Sequence, residues 1–284
     1  MMYFLLVLAI ASALHGQEKP QDAMHVLREK IRSALVKLRE SDRKMDGFLF
    51  QRHVEKMELH SDGAVKTKTL TEFRRDPWEE LTVTRVIRKD GQALSAEDSR
   101  RQEERLRRGI EDRRRKIADT RGRPPEEDEE DKWLKEMPDA MVFRAIGREQ
   151  RDGVDLEVYE FTPRPGFQPK SARAKAFKSV TGKVWLEPRD GEFARIEATI
   201  VDNITFGLGV FGKLEKGTHF EMNRRKFDIG HWFMEMQHIR FAARILMVKS
   251  FRQELITRFS NFAPHPKRLA SAPNAHLESQ TQSR

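Results

Sequence analysis

The stretch Lys183–Ile200, KVWLEPRDGEFARIEATI, decides the fold. Its first half is an apolar run that ends at Pro188, and Asp190-Gly191 follows as a turn, because glycine adopts the positive φ angle that tight turns need. The second half alternates apolar and polar residues, which predicts a strand with one apolar face. The residues predicted to share that face are Ala194, Ile196, Ala198 and Ile200. The stretch therefore predicts an antiparallel β-hairpin.

The same Asp-Gly signal recurs at positions 62–63, 90–91 and 152–153, each time between strand-like runs. Further alternating runs fill residues 217–262, so about ten strands are expected in one antiparallel sheet. A sheet of that size curls. The predicted fold class is therefore mainly β with helices (α+β): a large curved antiparallel sheet, or half-barrel, with an N-terminal amphipathic helix and a charged helical insertion.

The N-terminus reads as an export signal. Residues 3–14 form an apolar run that is too short to span a bilayer, and the small residues Ala11-Ser12-Ala13 resemble a cleavage site. We predict a signal peptide over residues 1–16, the alternative being a buried N-terminal helix. The chain has no cysteine, hence neither a disulfide nor the cysteine that anchors bacterial lipoproteins. The expected location is the periplasm or the extracellular space, as a soluble protein that is not lipid-anchored.

Residues 18–45 predict an amphipathic helix, since apolar residues recur at helical spacing through Ile31, Leu35 and Leu38. This helix is expected either to pack on the sheet or to act as a lid over a cavity, and the pattern fits both. We expect one domain over residues 17–262. The Pro-, Ser- and Gln-containing segment 263–284 is predicted to be a disordered tail.

Residues 95–137 interrupt the strands with a predicted helical insertion. Ser95 and Asp98 form a helix start, and the segment Arg100–Arg123 carries eleven Lys or Arg among many acids. A basic helix is typical of nucleic-acid binding, but the predicted export argues against nucleic acid as a partner. We predict a solvated helix that is stabilised by its own ion pairs and excluded from the core. An alternative role is contact with an anionic membrane surface or an envelope protein.

The chemistry-bearing residues form no recognisable site. Nine histidines are present, but His231 and His238 lie seven residues apart on one strand and are expected to face opposite ways. The sequence has neither a G-x-S-x-G motif nor an HExxH motif. We therefore predict no catalytic residue, no metal site and no cofactor.

A curled sheet with few helices leaves a concave apolar space, which is the usual site for a lipid or an acyl chain. The chain contains 11 Met and 18 Phe, side chains that suit an adaptable apolar cavity, although a plain packed core is the alternative. The loop 206–211 is expected at the mouth. The predicted cavity residues are Leu186, Ile196, Ile200, Phe206, Phe211, Phe220, Met222 and Phe241.

Three stretches carry a resemblance to a known family: EVYEFTPRPGF (157–167), GKVWLEPRDGEFARIEATIVD (182–202) and the late strands up to Phe262. Together with the element order they resemble the LolA/LolB superfamily of periplasmic lipoprotein carriers, which includes lipid-binding and envelope-sensor relatives. The resemblance implies a half-open β-barrel capped by helices around a hydrophobic cavity. It also implies lipid or lipoprotein acyl chains as partners.

The sequence thus predicts an exported, non-enzymatic lipid- or acyl-chain-binding protein of the cell envelope, of the lipoprotein- or lipid-carrier kind. One alternative is an envelope sensor or protein-interaction module that uses the Arg-rich helix. A second alternative is a hydrolase with an unrecognised site.

Overall fold

The computed structural model describes residues 20–79, 81–119, 129–206, 212–227, 230–245 and 249–266. The predicted signal peptide and most of the predicted tail lie outside these ranges. The helices are α1 (Pro20–Met45), α2 (Ala96–Asp119), α3 (Glu129–Leu134), α4 (Met137–Ala140) and a 3₁₀ helix (Arg173–Ser179). The strands are β1 (Phe48–Leu59), β2 (Val65–Trp78), β3 (Leu81–Lys89), β4 (Gln92–Ala93), β5 (Met141–Arg151), β6 (Val154–Pro163), β7 (Val180–Glu187), β8 (Glu192–Ile200), β9 (Ile204–Phe206), β10 (Gly212–Leu214), β11 (His219–Lys226), β12 (Trp232–Ile245) and β13 (Lys249–Pro264).

All these strands belong to one antiparallel sheet with the order β4-β3-β2-β1-β13-β12-β11-β8-β7-β6-β5. The short β9–β10 hairpin attaches to β12 beside this path. The first strand lies in the middle of the sheet, because β1 pairs with the last strand, β13. The predicted mainly β half-barrel with an N-terminal helix is confirmed.

Two of the Asp-Gly pairs form two-residue turns, between β3 and β4 and between β5 and β6. Asp90 and Gly91 have φ angles of 50° and 80°, and Asp152 and Gly153 have φ angles of 50° and 77°. Two successive positive φ angles define the type I′ turn, whose twist matches that of the two strands it joins. The hairpin prediction from these dipeptides is confirmed for β3–β4 and for β5–β6.

The β7–β8 hairpin departs from the predicted alternation at one residue. Leu186 of β7 pairs with Phe193, whereas the preceding residue, Trp185, pairs with Arg195, so Ala194 is an extra residue in β8. This bulge places Phe193 in the core under α1 and Ala194 with Trp185 on the opposite face. The prediction that Ala194 shares a face with the rest of the alternating series is wrong, because a bulge shifts the alternation by one position.

Helix α1 packs on the strands β5–β8, which we call the covered half-sheet. Ile31 and Ala34 are fully buried, and Lys30 forms an ion pair with Glu157 on β6. The buried residues of this core are Ile31, Ala34, Leu35, Met137, Ala140, Met141, Phe143, Tyr159, Phe161, Ala174, Phe177, Val184, Leu186 and Phe193. Of the two roles expected for the helix, packing on the sheet is the one observed.

Helix α2 lies along the outer edge of β3. Its start is capped as predicted, since the Asp98 N–H donates to Ser95 Oγ at 3.0 Å. The Gln102 side chain accepts from the Val86 N–H at 2.8 Å and donates to the Val86 carbonyl at 3.1 Å, which caps an exposed strand edge. Ile110 is only 6% exposed. The prediction that this helix is excluded from the core is therefore wrong at Ile110, because one apolar stripe is enough to dock it.

The end of the sheet extends beyond the predicted boundary at residue 262. Strand β13 continues to Pro264, and His265 is buried. The backbone N–H of His265 donates to the Gly47 carbonyl at 3.0 Å. Residues 263–265 thus belong to the end of the sheet rather than to a tail, and the remainder of the predicted tail from residue 267 lies outside the described residues.

Candidate functional site

The strands β1, β2 and β11–β13 form the second part of the sheet, which we call the open half-sheet. Apart from Met222 at its border with the covered half-sheet, its buried apolar residues lie at one end, around Phe48, Phe227 and Phe233. From there outward most side chains of β1, β12 and β13 are half-buried. No helix among the described residues contributes to an apolar cluster with this outer part.

The strand registers show which residues share the face that α1 covers. Ala198 of β8 packs against the core under α1 and pairs with Phe220 of β11. Phe220 pairs with Ile239 of β12, and Ile239 pairs with Leu255 of β13. Directly paired residues point to the same side of a sheet. The apolar face of the covered half-sheet therefore continues across β11, β12 and β13.

These side chains form what we call the open apolar patch, which consists of Phe220, Ile239, Phe241, Phe251 and Leu255. All five are half-buried rather than buried. The rings of Phe241 and Phe251 meet edge to face with their centroids 5.8 Å apart. The patch is a contiguous apolar surface on the same face as the core.

The structure divides the predicted cavity residues between the two half-sheets. Leu186, Ile200 and Met222 are 0%, 8% and 5% exposed, and Ile196 is half-buried and pairs with Met222. These residues lie on or beside the core under α1. Phe220 and Phe241, in contrast, belong to the open apolar patch. Phe206 ends β9, and Phe211 lies outside the described residues.

Sequence reasoning missed three members of the patch, Ile239, Phe251 and Leu255. The available signal was the alternation of residues 237–241 and 251–255. Alternation shows which residues share a face of a strand, but the pairing with a neighbouring strand is needed to tell which face lies on the side of the core. The flanks of the predicted mouth loop do lie near the patch, because Leu214 of β10 pairs with Ala243 of β12, two residues from Phe241. The role of that loop remains a prediction.

A polar cleft of about 800 Å³ opens at the turn end of the sheet, between the β5–β6 and β7–β8 turns and the start of β12. Several of its charged groups form ion pairs, as Arg225 does with Glu235 at 2.9 Å. Arg224 is buried and donates to Glu192 at 2.8 Å, and Asp190 accepts from Trp232 at 2.7 Å and from Lys226 at 3.0 Å. The hydrogen bond from Trp232 is the main reason that the pKa of Asp190 lies below its ordinary value. We assign this cleft a structural role.

Other classes of site find no support in the part of the chain that the structure describes. No group of three or more His, Asp or Glu side chains there is placed to hold a metal ion. His238 instead lies 2.6 Å from Glu254, the acid that also pairs with Arg240. None of the described helices is both long enough and apolar enough to cross a bilayer.

No protein family model matches the sequence, and neither does any curated protein. Solved structures do match. One is a DUF1329 family protein from Desulfovibrio piger (15% identity, TM-score 0.29), covering 87% of this chain and 94% of that one. Another is a putative outer membrane lipoprotein-sorting protein domain from Vibrio parahaemolyticus (10% identity, TM-score 0.31), covering 84% and 94%. A third is a LolA superfamily protein from Nitrosomonas europaea (11% identity, TM-score 0.28), covering 84% and 97%.

Two of these descriptions, a lipoprotein-sorting protein domain and a LolA superfamily protein, name the kind of protein that the sequence resembles. At identities of 10–15% and TM-scores of 0.28–0.31, these likenesses carry no argument about function. The functional proposal therefore rests on the residues of this chain.

Proposed function

We propose that this chain is an exported, non-enzymatic protein of the cell envelope that binds a lipid or an acyl chain on the open apolar patch. The single observation that supports this function is the continuity of the patch with the core. The same face that is sealed by α1 over β5–β8 continues with Phe220, Ile239 and Leu255 at half burial. Contiguous exposed apolar surface often marks an interaction site in soluble proteins.

The proposed interaction is hydrophobic burial. Each apolar side chain that a ligand seals from water contributes about 25 cal/mol per Å² of newly buried apolar surface. We further propose that the chain carries lipoproteins or lipids between membranes. The proposal also requires that the chain is exported through the predicted signal peptide.

A matched pair of substitutions on β13 tests the proposal. Leu255 lies in the patch, whereas the next residue, Ile256, is also half-buried but faces the other side of the sheet, where it pairs with His238. Binding of a fluorescent fatty acid is measured by titration for the parent chain, Leu255→Gln and Ile256→Gln. Because Leu255 is already half-buried in the free chain, a ligand adds about half of the 1.5–3 kcal/mol of a full burial, so Leu255→Gln is expected to weaken binding by about fourfold to tenfold.

Ile256→Gln is expected to change the affinity less than about threefold, since that residue does not touch the proposed ligand. Equal losses in the two variants, or no binding of the fatty acid by the parent chain, would refute the proposed function. Native mass spectrometry of the purified chain is the complementary measurement, with a co-purified lipid as the expected adduct.

Helix α2 favours a second candidate function, contact with an anionic membrane surface or an envelope protein. Its docked side is occupied by Gln102 and Ile110, which leaves Arg100, Arg105 and Arg108 exposed. Replacing these three arginines by glutamine is expected to abolish sedimentation with vesicles that contain anionic lipid. Unchanged sedimentation would exclude a membrane role for this helix.

A further inference from the structure

Arg52 on β1 is a partly buried cation without a counter-ion. It pairs across the sheet with Phe73 of β2 and with Phe259 of β13, and its guanidinium lies 4.2 Å from the centroid of the Phe73 ring. Its Nε is buried and has no hydrogen-bond partner. Among the described residues, no carboxylate forms an ion pair with this guanidinium. An aromatic face offsets only part of the lost hydration of such a group.

The electrostatic surroundings of Arg52 are unfavourable to its charge. Burial lowers the pKa of Arg52, and the nearby Arg75 lowers it further. Arg75 itself is satisfied, because it donates to Thr82 Oγ1 at 2.8 Å and to Asp46 at 2.8 Å. A guanidinium nevertheless stays protonated in proteins. Arg52 is therefore a positive charge that lacks an anionic partner within the described chain.

The register places Arg52 on the same face as the open apolar patch. Arg52, Val54 and Lys56 are alternate residues of β1 and share one side of the sheet. Lys56 pairs with Leu255 of the patch, so Arg52 lies four residues, or about 13 Å, along the strand direction from the row that contains Leu255. The residues between them, Val54 and its partner Thr257, are half-buried and uncharged.

Lys56 provides an instructive contrast on the same strand face. Its ammonium group lies 3.2 Å from Glu58 and is therefore neutralised within the chain. Of Arg52 and Lys56, only Arg52 has terminal nitrogens without a hydrogen-bond partner among the described residues. The planar guanidinium is also the group that best matches a carboxylate or a phosphate through two parallel hydrogen bonds.

We propose that Arg52 binds the anionic headgroup, a carboxylate or a phosphate, of an amphiphile whose apolar chain lies on the open apolar patch. This inference rests on the proposed function and adds a charge requirement to it. It predicts that anionic single-chain amphiphiles bind in preference to neutral ones of the same chain length. It also assigns Arg52 as the residue that determines this specificity.

Isothermal titration calorimetry with the full chain tests the inference. The probes are dodecyl phosphate and dodecanol, both below the concentrations at which they aggregate, and inorganic phosphate. Dodecyl phosphate is expected to bind at least about tenfold more tightly than dodecanol, as two charge-assisted hydrogen bonds allow. Arg52→Gln is expected to remove that preference and to leave dodecanol binding unchanged. Arg52→Lys is expected to retain part of the preference.

Arg258→Gln is the matched control. Arg258 is exposed on β13, next to the residue that pairs with Arg52, but it faces the opposite side, so the substitution changes the net charge equally. It is expected to leave all three affinities unchanged. Thermal unfolding supplies a second readout, because replacing an unpaired buried cation is expected to leave the melting temperature unchanged or to raise it.

The outcomes separate this inference from the proposed function. If the parent chain binds dodecanol and dodecyl phosphate equally, or if Arg52→Gln keeps the preference, the role of Arg52 is refuted and the proposed function stands. If inorganic phosphate binds as tightly as dodecyl phosphate and its binding depends on Arg52, the alkyl chain adds nothing, which refutes the amphiphile and leaves only an anion site. Binding of neither alkyl probe refutes the proposed function itself.

Discussion

The two halves of the sheet share one face but differ in what lies on it. Phe193 and Leu186 in the covered half-sheet are fully buried, whereas Phe220 and Phe241 in the open half-sheet are half-buried. A helix is about 10 Å across, and neighbouring strands are about 4.8 Å apart, so one helix covers only a few strands. Helix α1 therefore cannot cover the whole face of a path of eleven strands. The apolar face of the open half-sheet is therefore not covered by α1, and in the proposed function a ligand covers it.

The largest expected contrast comes from truncating one phenylalanine in each half. Phe193→Ala is expected to lower the free energy of unfolding by about 3–5 kcal/mol, because it leaves a cavity in a sealed core. Phe241→Ala is expected to cost only about 1 kcal/mol, because that ring is already partly hydrated. Urea unfolding followed by circular dichroism gives both values. Equal losses would show that the two halves are packed alike.

The boundary between the halves contains the buried ion pair of Arg224 and Glu192, in which the Arg224 side chain is 1% exposed. Arg224→Met is expected to cost about 3 kcal/mol or more, because it leaves the Glu192 carboxylate with no partner. The control is Arg144→Met, which breaks an exposed pair with Glu160 and is expected to cost less than about 1 kcal/mol. Both values are measured by the same unfolding assay. A small effect of Arg224→Met would contradict the view that this ion pair stabilises the boundary between the two half-sheets.

The two outer edges of the sheet also differ in how they are protected. Gln102 caps the edge of β3 at Val86, whereas residues 144–150 of the edge strand β5 are exposed. Gln102→Ala is expected to cost about 1 kcal/mol and to accelerate hydrogen exchange of the Val86 amide. Gln150→Ala on β5 serves as the control and is expected to be neutral. Unchanged exchange at Val86 would mean that the cap does not protect this edge.

The smallest predicted effect is the pH dependence of stability that Glu157 in the covered half-sheet contributes. Hydrogen bonds from Lys30 and, at 2.7 Å, from the Tyr159 hydroxyl hold the pKa of Glu157 below its ordinary value of 4.5. A lowered folded-state pKa gives a stabilisation that is present above the unfolded pKa and is lost as the pH falls below about 4.5. Glu157→Gln is expected to flatten that part of the stability curve. A curve identical to that of the parent chain would contradict it.

The sequence alone was enough to predict those features of the fold that depend on a few neighbouring residues. The Asp-Gly pairs predict tight turns because only their φ angles are needed, and the apolar stripe of residues 18–45 predicts α1. The bulge at Ala194 was missed, since strict alternation contains no sign of an extra residue. The pairing of β1 with β13 joins residues about 200 positions apart, and no local pattern specifies it.

The candidate site was accessible from the sequence only in part. Phe220 and Phe241 were predicted because they lie in apolar or alternating strand runs, yet Leu186 and Met222 were predicted on the same grounds and are 0% and 5% exposed. Which apolar residues stay accessible depends on where α1 packs on the sheet, and this is a property of the tertiary structure. Arg52 is one of 54 Lys and Arg residues, and its lack of a partner is visible only in three dimensions.

The most direct measurement is photo-crosslinking of the full chain with a fatty acid that carries a diazirine on its alkyl chain, followed by mass spectrometry of the peptides. The account predicts that crosslinks fall on β11, β12 and β13 at Phe220, Ile239, Phe241 or Leu255. It also predicts none at Leu186 or elsewhere under α1. Crosslinks in the polar cleft around Trp232, or crosslinks spread evenly over the chain, would contradict the open apolar patch as the binding surface.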